Sequence, residues 1–71
     1  MNDKQLFKIA LRYIEKGYNT EHLRYGDDLY SSTPEEKNAC IEMFCEIEEN
    51  GTNWAYEQLK IWNNECSNNN L

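Results

Sequence analysis

Apolar residues recur along this chain at helical spacing, not at the alternating spacing of strands. In residues 3–16, DKQLFKIALRYIEK, a turn of about 100° per residue puts Leu6, Phe7, Ile9, Ala10, Leu11, Tyr13 and Ile14 in one arc of about 200°. Lys4, Lys8 and Arg12 gather opposite, with Lys16 at the border. Asn2 or Asp3 is placed to accept the first free backbone N–H groups, and Gly17 to end the helix with positive φ.

A second helix is predicted over residues 34–49. Ser32-Thr33-Pro34-Glu35-Glu36 offers a capping hydroxyl, a proline for the first helical position and acids at the positive end of the dipole. Cys40, Ile41, Met43, Phe44, Cys45 and Ile47 line one side, while Glu35, Glu42, Glu46 and Glu49 fall within about 60° on the other. Asn50-Gly51 ends it, and Asn50-Gly51-Thr52, formally a glycosylation sequon, reads as a turn. Thr52 or Asn53 then caps a third helix over residues 53–66. Its core stripe is Ala55, Leu59, Trp62 and Cys66, at i, i+4, i+7 and i+11. Trp54 and Ile61 point about 100° away from that stripe. They mark a second contact surface, unless the connector folds over them.

That connector, residues 18–33, is the least regular part. Thr20 is positioned to cap a short helix through Tyr25 with Gly26 stopping it, and Leu23, Tyr25, Leu29 and Tyr30 read as anchors docking it onto the helices. Residues 67–71, SNNNL, read as a frayed tail. Short punctuation between the second and third helices implies an antiparallel hairpin. The expectation is a single domain over residues 1–71, an all-α bundle of three main helices.

Composition limits how large that bundle's core can be. A chain of 71 residues buries only about 60% of its unfolded surface. Thirteen Leu, Ile and Phe, no Val and a net charge of −6 lean toward disorder. Nine aromatic residues lean back, because each buries more area than an aliphatic side chain. The balance is a folded domain whose core supplies no more than about 3–5 kcal/mol. The absence of valine and the presence of only three threonines argue against a sheet. Ten asparagines against three alanines, three glycines and one proline point to an AT-rich genome, such as a low-GC bacterium or its phage.

Charge is unevenly laid out. Residues 1–24 carry five basic and three acidic groups, whereas residues 25–71 carry two basic and ten acidic. Such a surface repels phosphate backbones, so direct nucleic-acid binding is disfavoured, and it steers toward a positive protein surface. No apolar run reaches the length of a signal peptide or membrane span, and three cysteines without an export signal read as free thiols of a cytoplasmic protein.

Candidate chemistry is sparse. Cys40 and Cys45 are about 140° apart on a helix and no C-x-x-C occurs, so a zinc set with Cys66 and His22 would need a folding coincidence. Buried thiols are the simpler reading. His22 lacks a neighbouring nucleophile and reads as exposed or capping. Asp27-Asp28 lack the spaced oxygens of a calcium loop, and no phosphate loop or nucleophile elbow is present. Neither catalysis nor a cofactor nor a metal is expected.

The expected function is therefore binding. In the leading expectation, Glu35, Glu42, Glu46 and Glu49, with Asp27 and Asp28, stand in for phosphates on the basic surface of a host nucleic-acid-handling protein. Tyr25, Tyr30, Trp54, Tyr56 and Ile61 anchor the contact. That would be the behaviour of a phage- or mobile-element-type inhibitor, anti-CRISPR-like or DNA-mimicking. The alternative is a homodimeric, antitoxin-like regulator in which Trp54 and Ile61 meet their copies.

Overall fold

The first three helices each begin where the sequence offers a reciprocal cap. Asn2 Oδ1 accepts the Gln5 N–H at 2.9 Å, and Gln5 Oε1 accepts the Asn2 N–H at 3.1 Å. This box opens α1, Asp3–Glu15. Its end is a Schellman closure: the Gly17 N–H donates to Ile14 O at 3.0 Å and the Tyr18 N–H to Tyr13 O at 2.9 Å, with Gly17 at φ 78°. Thr33 and Glu36 form a second box, with Pro34 in the first turn, and open α3, Pro34–Asn50. Between them lies α2, Thr20–Tyr25, followed by a 3₁₀ turn at Asp27–Leu29.

The computed structural model describes the backbone of residues 2–69 and the side chains of residues 2–63. Among the described residues there are four α-helices and no strand, the all-α bundle that the periodicity predicts. The last helix, α4, runs Thr52–Asn69, past the predicted end at 66. Cys66's side chain and residues 70 and 71 of the expected tail lie outside the described residues.

One residue joins α3 to α4. The Gly51 N–H donates to Ile47 O at 2.7 Å, closing α3, while the Gly51 carbonyl accepts the Ala55 N–H at 3.3 Å, opening α4. Neither Thr52 nor Asn53 is the cap; both are already helical. Gly51 sits at φ 96°, ψ 159°, a conformation open to glycine and almost nothing else.

The core is built mainly where α1 meets α3. Leu6, Phe7, Ile9, Ala10, Leu11 and Tyr13 from α1 pack with Cys40, Phe44 and Ile47 of α3, Ala55 of α4, and Leu23 and Leu29 of the connector. Polar clasps fix α4 along α1. The Tyr56 hydroxyl donates to Glu15 Oε2 and Lys4 Nζ donates to Asn63 Oδ1. The start of α4 therefore meets the end of α1, and the two run antiparallel.

The connector and one flank of α3 also differ from the sequence pattern. Leu23 and Leu29 dock the connector, but Tyr25 and Tyr30 do not: they stand 82% and 83% exposed. A six-residue helix has room for one inward position, and Tyr25 lies about 200° around the axis from Leu23. The capping residue of α2 is Asn19 instead of Thr20. Its side chain accepts the Glu21 and His22 N–H groups, and His22 Nδ1 returns the bond by accepting the Asn19 N–H at 3.0 Å. Cys45, expected on the apolar side of α3, is exposed, because it lies about 100° beyond Phe44 at the edge of the buried arc.

Gly26 is needed for space rather than for φ, which is −79°. A Cβ there would come within 2.4 Å of the His22 carbonyl oxygen and 2.6 Å of the Tyr13 hydroxyl.

Candidate interaction surface

The predicted acidic residues of α3 emerge as a stripe. Glu35, Glu42, Glu46 and Glu49 are all exposed, on the side of the helix turned away from buried Cys40, Phe44 and Ile47. The stripe spans 15 residues, about 21 Å of helix axis from first to last, so its four carboxylates are spaced about 7 Å apart on average. A single DNA strand presents one phosphate per about 3.4 Å of axis. The stripe thus carries about half that linear charge density.

Asp27 and Asp28 do not extend it. Asp28 pairs with Arg12 of α1 at 3.6 Å. The Tyr13 hydroxyl is pushed up to about 12 by burial, by its hydrogen bond to Asp28 and by that carboxylate's charge. Asp28 also helps raise the Cys40 thiol, which faces inward from α3. Asp28 therefore stands on the α1 side of the bundle, and the sequence-predicted acids fall into two groups. Tyr25 and Tyr30 flank the Asp27–Leu29 turn and belong with that second group.

Trp54 and Ile61 open onto a half-open groove of about 360 Å³ lined also by Phe7, Met43, Glu46, Gln58 and Trp62. Phe7 forms its floor. Its ring centroid lies 6.1 Å from that of Trp54, tilted by 58°, and 5.4 Å from that of Trp62, edge-on at 79°. Trp54 is thereby half-buried, packed against α1, while Ile61 stays 49% exposed. Glu46 belongs to both features, lining the groove and standing in the stripe. Tyr56 is 49% exposed, but its hydroxyl is held by Glu15, so only its ring is free for contact.

Cys40 and His22 are engaged in packing and capping. The Cys40 thiol donates to Leu6 O at 3.3 Å and is pushed up to about 11, chiefly by burial. His22 caps α2 and its ring stacks on Tyr18 at 4.5 Å. Among the described residues no group of three or more His, Cys, Asp and Glu side chains is placed to hold a metal ion. No helix among them is long and apolar enough to cross a membrane.

No protein-family model, curated protein or solved structure matches the chain.

Proposed function

We propose that this chain is a non-enzymatic binding module that presents the α3 carboxylate stripe to a positively charged protein surface. The observation carrying this is the segregation on α3 itself. Four carboxylates share one exposed face over about 21 Å, with the helix's buried residues on the opposite face. Four charges held on a rigid helix meet a basic surface with less ordering cost than the same charges on a loop. The finer form of the proposal is mimicry: the stripe occupies the nucleic-acid channel of a host protein, as an anti-CRISPR-like inhibitor would.

The test is a pull-down from a low-GC bacterial lysate at low and high salt, using wild type and Glu42→Lys/Glu46→Lys. The captured protein is then assayed for nucleic-acid binding with and without this chain. Capture lost on adding salt and lost in the double variant is the expected result, with nucleic acid and this chain competing. Salt-independent capture would sink the electrostatic reading. Simultaneous binding of nucleic acid and this chain would sink the mimicry.

A homodimer has one observation in its favour, the exposure of Ile61 beside Trp54. A monomer by sedimentation at micromolar concentration removes it.

A further inference from the structure

The groove joining α1, α3 and α4 is apolar within and acidic at its edges. Met43, Trp54, Ile61, Trp62 and the Phe7 floor supply the apolar surface. Glu46 stands on the α3 edge. On the α4 edge stands Glu57, exposed and placed three residues after Trp54 and four before Ile61, the spacing of neighbours on a helix surface. Trp54, Gln58 and Ile61 follow i, i+4 and i+7, so one wall of the groove runs along α4 for about 10 Å. A wall of that length matches two turns of another helix, whose i, i+3, i+4 and i+7 side chains are the usual anchors in such a groove.

We infer that the groove binds a cationic amphipathic helix, its apolar side chains seated over Phe7 between Met43 and Ile61 and its Lys or Arg residues meeting Glu46 and Glu57. This deepens the proposal that the stripe meets a basic partner and rests on it, since Glu46 is common to both surfaces.

Charge and exposure argue against a second copy as occupant. Groove-to-groove contact would press two sets of Glu46 and Glu57 together in a protein already at −6. The basic face of α1 offers no apolar anchor, because Leu6, Phe7, Ile9, Ala10 and Leu11 are all buried in the chain's own core. Tyr25 and Tyr30, the most exposed aromatic residues, flank Asp27 and Asp28 and would bring carboxylates to an acidic rim.

The test uses the whole chain and a Leu/Lys peptide of about 18 residues, long enough to form a helix when bound, with its leucines on one helical face. The control is a peptide of identical composition whose leucines are scattered around the helix. Affinity is measured by calorimetry, and emission from Trp54 and Trp62 reports occupancy of the groove. The patterned peptide is expected to bind at least about tenfold more tightly than the scrambled one, a preference removed by Ile61→Arg. Ile61→Gln is the milder second variant, and circular dichroism confirms that each is folded.

Equal affinity for the two peptides, lost in Glu42→Lys/Glu49→Lys and kept in Ile61→Arg, would overturn the groove inference and leave the stripe proposal standing. No binding of either peptide would overturn both. A wild-type dimer made monomeric by Ile61→Arg would place a second copy in the groove and also overturn the inference.

Discussion

Replacing Gly51 with alanine tests the backbone alone, without side-chain crowding. The residue holds φ 96°, ψ 159°, and a Cβ added there meets nothing within 4 Å, so no steric clash accompanies the change. What remains is backbone strain, about 1–3 kcal/mol for a non-glycine residue in this region. The lost flexibility of the unfolded chain returns about 0.4–1 kcal/mol. The net destabilisation is about 1–2 kcal/mol, a large share of the about 3–5 kcal/mol such a core supplies. At about 4–8 °C per kcal/mol for a domain of this size, the melting temperature falls by about 5–15 °C. Far-UV circular dichroism melts and urea titrations measure it, with Gly17→Ala as the internal comparison. Gly17, at φ 78°, also has open space around a Cβ. Its left-handed conformation is one that asparagine tolerates. Gly17→Asn should recover most of the loss and Gly51→Asn little of it. A Gly51→Ala melt within about 1 °C of wild type would refute the reasoning, as would asparagine rescuing both positions equally.

Gly26→Ala should cost about 1–3 kcal/mol by crowding the His22 carbonyl and the Tyr13 hydroxyl, and Tyr13→Phe should relieve part of it; thermal melts of both single variants and the double check this. Stability should hold from neutral pH upward and then fall through the alkaline range. The neutral forms of Cys40 and Tyr13 are favoured in the folded chain, so their contributions are full below the unfolded values of 9.0 and 10.0 and vanish as pH rises through about 11 and about 12. Chemical denaturation across that range would refute this if stability were flat. In a variant carrying serine at 66, a thiol reagent should modify exposed Cys45 at once and buried Cys40 only on unfolding, so that mild urea accelerates the second phase alone.

How much of this was legible beforehand differs by element. The starts of α1 and α3 were, because Asn2 precedes a clean periodic run and Thr33-Pro34-Glu35-Glu36 combines a cap, a fixed φ and favourable charge within four residues. The starts of α2 and α4 were not: α2 begins one residue before a Thr20 cap would place it, and Gly51 opens α4 without a side-chain cap. Asn19 and Thr20 are both competent caps, and only the partner three residues on decides, here His22 closing a box with Asn19. The tyrosines of the connector misled because an aromatic residue in a polar stretch reads as an anchor. Whether it turns inward depends on which leucine occupies the one inward position of a short turn. The stripe on α3 was legible, since one helix's periodicity fixes it. Its separation from Asp28 was not, because that depends on Arg12 and Tyr13 of another helix. Of the groove, Trp54 and Ile61 were visible as residues off the core stripe. Its floor was hidden, because Phe7 belongs to the core by every local criterion and reaches the groove only through the packing of α1 against α4.

Phe7 is a partition shared by two compartments, interior on one side and recess on the other. A mutation there changes both at once, so any descendant that reshapes the recess through this ring also gambles its ability to fold. Inherited variation in what the recess accepts should therefore collect at Gln58 and Ile61, where a side chain can be exchanged without touching the interior.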